Sequence, residues 1–407
     1  MQNFVWITCA TVCLVLSVPA NAKVYEVDSS DDWFGLLSGR SLNPGDEVVL
    51  QAGVYSDARL LAIRHSGTAE KPIVIRAADG AEVTFRRPNA KQNTMNLMGN
   101  QHLQLRGIEI TGGSTGLRIG PDGDRQPSDI VIQEMHIHHV GGAAITCNHV
   151  GGNYQRMTFH RNHIHHTTGH AEGFYLGGNN ASAIMSDSTI SENYIHHLNG
   201  PKVTQGDGIE VKQGSFNNRI IGNIIHDTNY PGVTVYGTRG EAINRIENNL
   251  IWNTGDHGIQ VAADALVRNN LINGAGDCGI YSREHQTAVP NRLRIERNDI
   301  SDCEGSAIRI IGSKQQRNQA RVDIQVLRNQ LFARRNQPAF RIEMVDVSVA
   351  DGNVGQGSVQ GSPDFAATWK RREPHNRPAK LKLPDLADHP AWNFLDRAAV
   401  LAKFNGK

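Results

Sequence analysis

Aromatic side chains and net charge are both scarce in this sequence. Phe, Trp and Tyr make up 6% of the 407 residues, hydrophobic residues 39%, and glycine is abundant at 41 residues. This composition favours many short strands and turns over a helical bundle. The formal net charge is +1, so no global field recruits nucleic acid, and attraction for a charged partner has to come from a local patch.

Cysteine is also scarce. Cys9 and Cys13 lie close to the N-terminus, which leaves Cys147, Cys278 and Cys303 for the rest of the chain. These three are an odd number without paired spacing, so disulfide bonds are not the expected stabilising device. Each falls at or near an apolar strand position, and we expect all three to pack in the core.

The N-terminal segment lacks charged residues. Residues 4–18 are apolar, and Ala20-Asn21-Ala22 follows as a small-x-small cleavage pattern. We interpret residues 1–22 as a signal peptide, although its first residues carry no Lys or Arg. The prediction is a periplasmic or secreted protein that has no membrane association after cleavage. An uncleaved membrane anchor is the alternative.

From about residue 103 onward the sequence repeats a short unit. Each unit has an asparagine beside a short apolar strand and a second strand that usually begins with glycine, at intervals of 21 to 35 residues. The asparagines are Asn162, Asn193, Asn223, Asn249, Asn270, Asn298 and Asn329. The second strands start at Gly173, Gly208, Gly232, Gly258, Gly279 and Ala307. Such a period is the signature of a solenoid, in which stacked units bury a core that one unit cannot bury.

The units contain strands of three to five residues and no convincing helix, so the solenoid is all-β. We predict a right-handed parallel β-helix over residues 23–352; the handedness follows from the general preference of parallel crossovers. A helix at residues 31–37 is expected to cap one end. Residues 353–407 are expected to form a C-terminal extension, as a terminal cap or as a strap along the barrel, with a helix near residues 394–404.

Residues 206–218 hold the central unit of this series. Ile209 and Val211 alternate with Glu210 and Lys212, as in a half-buried strand whose apolar residues face inward. Two outward side chains on one strand lie roughly 7 Å apart. Glu210 and Lys212 are therefore expected side by side on the outer face.

The outward positions of neighbouring second strands are predominantly polar. Read unit by unit they are Arg118, Thr146, Asn148, Tyr175, Glu210, Lys212, Thr234, Tyr236, Gln260, Tyr281, Arg283 and Arg309. Successive units of a parallel stack are about 4.8 Å apart, so these side chains form one stripe. A stripe of this composition suits an extended anionic polysaccharide, because arginine pairs with carboxylates and tyrosine offers a flat surface. An ordinary solvated face is the alternative.

The stripe contains the groups that cleavage of a uronate polymer by β-elimination requires. The sugar carboxylate must be neutralised, a base must remove the adjacent proton, and an acid must protonate the leaving oxygen. We predict Lys212 as the base and Tyr175 or Tyr236 as the acid, with Arg239 within reach on a turn. A structural Glu210–Lys212 pair is the alternative interpretation.

Several segments resemble the opening coils of β-helix alginate lyases and chondroitinase B. These are residues 42–50 (LNPGDEVVL), 53–55 (GVY) and 67–76 (GTAEKPIVIR), and residues 210–215 (EVKQGS) with Asn218 and Asn223 resemble the coil that carries their catalytic lysine. The resemblance covers roughly residues 24–270 and implies Lys212 as the base. Chondroitinase-type enzymes place an arginine acid on the next coil, where this chain has Tyr236 and, in the turn, Arg239.

Those relatives bind calcium through one Asn and two Glu, of which only Glu210 is evident in this sequence. Calcium is therefore a possible cofactor and no cofactor is certain. A second family of β-helix alginate lyases is the nearer likeness, because it uses a Tyr/Lys pair without that calcium site. It points to Tyr175 with Lys212.

Histidines occur in rows: His138-His139, His165-His166 and His196-His197, followed by His226. Repeated rows predict a stacked structural ladder, with a metal site as the alternative. His149 and His170 lie nearer the stripe, and His170 is the better candidate for substrate contact. Asp207, Asp256 and Asp277 each precede a second strand, which favours turn capping over acid catalysis.

Other functions remain open on the same fold. A glycoside hydrolase needs two carboxylates about 5 to 9.5 Å apart; Glu210 has no obvious outward partner, although Asp207 and Glu172 are close in sequence. A C5-epimerase shares the proton-abstraction step, and a non-catalytic solenoid would bind a glycan without cleaving it. The leading hypothesis is a monomeric lyase that acts on a uronate polymer, alginate first.

Overall fold

The computed structural model describes residues 22–39, 42–314, 316, 322–372 and 386–404. In these residues the chain winds through three parallel sheets in turn, so that each coil adds one strand to each sheet. The architecture is a parallel β-helix, which confirms the predicted fold class. The predicted signal peptide lies outside the described residues, apart from Ala22.

The first sheet has thirteen strands. They are Val24–Val27, Glu47–Leu50, Ile73–Ala77, Leu103–Arg106, Val131–Gln133, Thr158–His160, Thr189–Ser191, Arg219–Ile221, Asn244–Glu247, Ala265–Arg268, Leu293–Glu296, Ile324–Leu327 and Val349–Asp351.

The second sheet has twelve strands and carries the polar stripe. They are Ala62–Ile63, Met95–Met98, Leu117–Gly120, Ile145–Cys147, Phe174–Leu176, Ile209–Val211, Val233–Val235, Ile259–Val261, Ile280–Arg283, Ile308–Ile311, Pro338–Glu343 and Ser358–Gln360.

The third sheet has thirteen strands. They are Gly53–Tyr55, Val83–Arg87, Glu109–Gly112, His136–His138, His163–His165, Tyr194–Leu198, Ile224–Thr228, Leu250–Thr254, Leu271–Asn273, Asp299–Ser301, Gln330–Phe332, Val354–Gln356 and Lys370–Arg371. Two further short strands, Asn153–Gln155 and Ile184–Ser186, pair in parallel outside these sheets.

Inward apolar side chains of all three sheets form one continuous core. Ile209 and Val211 are fully buried in it, as the alternating pattern predicts. The three cysteines of the described chain are also buried and free, which confirms their expected place in the core. Stacked coils therefore bury what a single coil leaves open to water.

The repeated asparagines form a buried ladder at the turn between the first and third sheets. Asn223 shows the pattern: its Oδ1 accepts from the backbone N and the Nδ2 of Asn193, at 3.0 and 2.9 Å. Its Nδ2 donates to the backbone O of Ile190 at 3.0 Å and to Oδ1 of Asn249 at 2.9 Å. Each amide thus satisfies backbone groups that the turn would otherwise bury without partners.

Short helices cover the two ends of the core. Helix Trp33–Ser38 begins at Asp32, whose carboxylate caps the backbone N of Gly35; this confirms the capping helix expected near residues 31–37. At the other end, helix Pro363–Thr368 stacks Phe365 on Phe340, with ring centroids 4.0 Å apart. Solenoid strands continue past residue 352 to Lys370–Arg371, so the last coil extends beyond the predicted boundary.

The C-terminal residues 386–404 lie along the third sheet instead of at the end of the barrel. They contain the 3-10 helix Pro390–Asn393 and the helix Arg397–Lys403. Their apolar side chains pack against Tyr194, Ile224, Leu250, Trp252 and Leu271. Of the two expected roles, this segment is the strap. One further 3-10 helix spans Asn179–Ala181; no helix of the described residues has the length and apolar character needed to cross a bilayer.

Candidate active site

Strand register aligns the polar stripe predicted on the second sheet. Paired residues of successive strands form one outward column: Asn96, Arg118, Thr146, Tyr175, Glu210, Thr234, Gln260, Tyr281, Arg309 and Arg341. A second column follows two residues later, with Asn148, Lys212 and Tyr236 just past their strands and Arg283 at the end of its strand. The stripe that the sequence predicts is therefore a structural feature.

Lys212 lies on the floor of this face, between two phenol rings. Its Nζ is 4.5 Å from the ring centroid of Tyr175 on one coil and 5.1 Å from that of Tyr236 on the next. It also donates to Oε1 of Glu210. The hydroxyl of Tyr236 donates to the same oxygen at 3.0 Å. The predicted lysine and tyrosines thus meet at one point.

The group is buried, although it points outward from the barrel. Lys212 is 5% exposed and Glu210 4%, while Tyr175 is half-buried. Oε2 of Glu210 is buried without a hydrogen-bond partner. Withdrawal from water strengthens the interactions among these groups.

Glu210 determines where the protons of this group reside. Burial lowers the pKa of Lys212, but the Glu210 carboxylate, and hydrogen bonds to Glu210 and Tyr175, raise it by more, so the net pKa is raised. Burial raises the pKa of Tyr175, an effect that the Lys212 ammonium partly opposes. Burial and then Glu210 raise the pKa of Tyr236. Lys212 is therefore an ammonium ion at neutral pH, which does not favour the predicted lysine base.

Two further carboxyl groups, Glu172 and Asp207, lie beside this group. Burial raises the pKa of both, and the charge of Glu210 adds to the rise. Glu172 is 1% exposed and its Oε1 has no partner, whereas Oδ1 of Asp207 accepts from the hydroxyl of Thr234 at 2.6 Å. Both groups are held toward the neutral, protonated form.

A cleft of about 510 Å³ opens above this point. It is lined by Ser114, Thr115, Gly141, Gly142, Ala143, Thr146, Asn148, Gly169, His170, Glu172, Tyr175, Asn179, Gln205 and Lys212. The predicted residues Asn148, His170, Tyr175 and Lys212 thus share one cavity. Its size and its convergent polar groups are those of a ligand site.

The remaining predicted residues lie outside this cavity. Gln260, Tyr281 and Arg309 follow Glu210 along the stripe, with Arg283 beside them, and the guanidinium of Arg309 is bound to Glu343 at 2.9 Å. Arg118 lies on the coil before Thr146.

His149 and Arg239 are exposed at the rim. The ring of His149 bonds the backbone O of Val150 at 2.9 Å. The guanidinium of Arg239 donates to the backbone O of Asn180 at 3.3 Å, within the 3-10 helix Asn179–Ala181. Of the two groups predicted on this coil, Tyr236 is the one beside Lys212.

Sequence reasoning missed the turn residues that wall the cleft. The sequence suggests Glu172 only as a hydrolase carboxylate and Asp207 only as a turn cap or a hydrolase carboxylate, and it does not single out Ser114, Thr115 or Gln205. A signal was present, because Glu172 and Asp207 both stand directly before the leading glycine of a second strand. Of the two, Glu172 lines the cleft.

The residues around Glu210 do not fit a calcium ion. Calcium takes six to eight oxygen ligands, yet Oε1 of Glu210 already accepts from the Lys212 ammonium and the Tyr236 hydroxyl. Among the described residues, no set of three metal-ligating side chains with ligand atoms within 4.8 Å includes Glu210.

Comparison with known proteins agrees with this architecture. Residues 149–330 match the family model described as right handed beta helix region, and residues 39–119 match the model of chondroitinase B. The fold is a right-handed β-helix. The expected resemblance to β-helix polysaccharide lyases is thereby confirmed at the level of fold. A search of the curated proteins found no match.

Solved structures with this β-helix are similar at low sequence identity. A mannuronic acid specific polysaccharide family 6 lyase from human gut microbiota has a TM-score of 0.51 at 15% identity, covering 94% of this chain and 99% of its own. The PL6 family alginate lyase AlyGC has a TM-score of 0.50 at 15% identity, covering 86% and 53%. The xylose complex of XylC has a TM-score of 0.52 at 11% identity, covering 79% and 86%. Such identities show a common fold, and function has to be argued from the site.

Proposed function

We propose that this chain is an exported polysaccharide lyase that cleaves a uronate polymer, alginate first, by β-elimination. One observation carries the proposal: the Lys212 ammonium lies between two phenol rings on the floor of a cleft that covers part of the polar stripe. The neighbouring lyase structures show that the fold accommodates such chemistry in other proteins.

β-Elimination moves two protons. A base removes the proton from the ring carbon next to the uronate carboxylate, the electron pair forms a C=C bond, and the glycosidic C–O bond breaks. The departing oxygen takes a proton from an acid. Both groups have to lie within one sugar ring of each other, as Tyr175 and Lys212 do.

We assign Tyr175 as the base and Lys212 as the acid, the reverse of the sequence prediction. Glu210 hydrogen-bonds the ammonium directly and holds a proton there. A phenolate at Tyr175 keeps that ammonium as its neighbour, whereas a neutral lysine leaves the buried Glu210 carboxylate without its cation. The phenol is thus the group whose proton is lost to solvent at lower cost before the reaction. During elimination Tyr175 takes the proton of the sugar carbon and Lys212 gives its own proton to the leaving oxygen. The phenol then returns a proton to the amine through the Tyr175–Lys212 hydrogen bond, which restores the ammonium beside Glu210.

Glu172 is the residue that receives the sugar carboxylate. It lines the cleft and one of its buried oxygens lacks a partner. Burial raises its pKa and favours the protonated form, in which it donates a hydrogen bond to the substrate carboxylate without repelling it. That bond, with the nearby ammonium, makes the adjacent carbon acid stronger.

A substrate panel tests the proposal. Purified mature protein is incubated with alginate, pectate and glycosaminoglycans, with and without EDTA, while ultraviolet absorbance of the new C=C bond and reducing ends are both followed. We expect absorbance and reducing ends to rise together on alginate, and EDTA to have no effect. Absence of both signals on every polymer would leave a binding solenoid and refute the lyase.

A glycoside hydrolase is the second candidate, favoured by the grouping of Glu172, Asp207 and Glu210. Two of these carboxyls have raised pKa values, as a general acid requires. Glu210, however, is committed to Lys212 and Tyr236. In the same assay a hydrolase produces reducing ends without ultraviolet absorbance.

We further propose that the protein acts as a monomer in the periplasm or outside the cell. The proposed location rests on the apolar residues 4–18 and the cleavage pattern that follows them. Size-exclusion chromatography of the mature protein and fractionation of the producing cells test the two parts.

A further inference from the structure

Nine histidines form a continuous cluster on the third sheet, away from the cleft, which the proposed lyase chemistry does not use. We call this cluster the histidine ladder. Strand register stacks its members on three successive coils and part of a fourth. They are His136, His138, His139, His163, His165, His166, His196, His197 and His226.

The rings of the ladder stack along the barrel, which confirms the predicted structural row. The ring of His165 lies 5.0 Å from that of His138 and 5.0 Å from that of His196, with interplanar angles of 2° and 18°. Further along the same column of rings, His226 stacks on Trp252, with ring centroids 4.2 Å apart. Stacking does not require histidine, because Trp252 occupies the next position of the same column.

Nitrogen atoms also converge between coils, and stacking does not require that. Nε2 of His136 is 2.8 Å from Nε2 of His165, and Nε2 of His163 is 2.8 Å from Nε2 of His196. Ligand atoms of His136, His163 and His165 all lie within 4.8 Å of one another. Tetrahedral zinc with bonds of about 2.0 to 2.1 Å places its nitrogens roughly 3.3 Å apart. The three rings therefore need small adjustments to share one ion.

Each of these 2.8 Å contacts is a hydrogen bond in which one imidazole donates its Nε2 proton to the other. An ion bound at this point takes the place of that proton, which shifts to the other nitrogen of its ring. Metal ligation and the present hydrogen bonds therefore use the same nitrogen atoms.

We infer that the ladder binds one divalent transition-metal ion of the zinc type through His136, His163 and His165. Imidazole nitrogens suit zinc, copper and nickel, while calcium and magnesium prefer oxygen ligands. His136 belongs to one coil and the other two to the next, so the ion ties two coils together. Glu109, whose carboxylate bonds Nε2 of His138 at 3.0 Å, lies next to the site.

The ion has access from solvent on one side. His139, His166 and His197 are exposed along the edge of the ladder, and the three ligands are half-buried behind them. On the other side, Phe394 of the C-terminal strap lies 4.5 Å from the ring of His163. The strap thus shields one side of the site and leaves the other open.

Calorimetry of the metal-free mature protein, prepared without a histidine tag, tests the site. We expect saturable binding of Zn²⁺ at about one ion per chain, with a raised midpoint of thermal unfolding, and neither effect with Ca²⁺ or Mg²⁺. His165→Gln should weaken binding by at least about tenfold, since even the loss of a group that only orients a ligand costs about that much. His160→Gln, a half-buried histidine of the first sheet that bonds Ser191, is the matched control and should bind as the parent does.

Electron paramagnetic resonance of bound Cu²⁺ decides the matter where a variant fails to fold. The unsubstituted protein should show hyperfine splitting from imidazole nitrogens. Absence of saturable Zn²⁺ binding, an oxygen-only copper spectrum, or unchanged affinity in a folded His165→Gln protein would each overturn the proposal and leave a purely structural ladder.

Discussion

The proton on Lys212 is the residue-scale question on which the chemistry turns. Outward strand position suggested an accessible amine, yet the side chain is buried and bound to Glu210. A buried ammonium that keeps its carboxylate partner is a better proton donor than acceptor. Tyr175, which has Lys212 as its cationic neighbour, is left to accept the first proton.

A substrate with an activated leaving group separates the two roles. On a uronide whose 4-substituent departs without protonation, Lys212→Arg should regain most of its lost rate, because the step no longer needs an acid. Tyr175→Phe should stay at least about 100-fold below the parent on this substrate as on alginate. The rate of C=C formation measures both.

Tyr230→Phe provides the matched control, because Tyr230 is an exposed tyrosine on a turn; it should behave as the parent does. The opposite outcome, with Tyr175→Phe recovering and Lys212→Arg not, would restore the lysine base predicted from the sequence.

Glu210→Gln tests the electrostatic coupling. Glu210 raises the pKa values of Lys212 and Tyr175, and a raised pKa means that the proton leaves at higher pH. Removing the charge should therefore shift the whole pH–rate profile of kcat to lower pH. The amide still accepts the hydrogen bond of Tyr236, so the geometry is retained. A profile that does not move would identify the Glu210–Lys212 pair as structural.

At the scale of elements, the asparagine ladder holds the coils together at one turn. Each interior amide satisfies groups on two neighbouring coils, as Asn223 does for Asn193, Ile190 and Asn249. Loss of one asparagine therefore removes hydrogen bonds from more than one coil. Every coil needs this residue at the same turn, which explains the regular period of asparagines in the sequence.

Asn223→Ala should lower the free energy of unfolding by about 3 kcal/mol, since several buried polar groups lose their partner at once. Denaturant titration of the variant and the parent gives the value. Asn199→Ala, at an exposed position just after strand Tyr194–Leu198, should change it by less than about 0.5 kcal/mol. Equal losses in both variants would refute a special role of the ladder.

The C-terminal strap is a second element whose packing is testable. Val400 is buried against the third sheet while its neighbour Ala399 is exposed. Val400→Asp buries an unpaired charge and should release the strap, which increases proteolytic cleavage within it and changes Trp252 fluorescence. Ala399→Asp should leave both unchanged. Equal protection of the strap in the two variants would show that this packing does not hold it.

At the scale of the whole molecule, the sequence predicted the solenoid, the orientation of its second strands and the meeting of Lys212 with Tyr175 and Tyr236. All three follow from the repeat period of the sequence and from the alternation of apolar and polar residues in each strand, because backbone geometry alone converts these patterns into positions. The burial and the protonation state of Lys212 could not be predicted in this way, because the burial of its side chain depends on the turns that wall the cleft. The location of the strap could not be predicted either, since its partner face is assembled from strands distant in sequence.

The central claim is that the lysine on the floor of the cleft transfers a proton during cleavage of a uronate polymer. Lys212→Arg tests it most directly: it keeps the cation beside Glu210, whereas alanine would leave that carboxylate unpaired, and arginine does not release its proton at working pH. Lys91→Ala, at an exposed lysine, is the control.

The measurement is the rate of C=C absorbance on alginate, with thermal unfolding recorded for each protein. We expect the same rate for the parent and Lys91→Ala, and at least about a 100-fold loss for a folded Lys212→Arg protein. A folded Lys212→Arg protein that retains near-parental activity would contradict it.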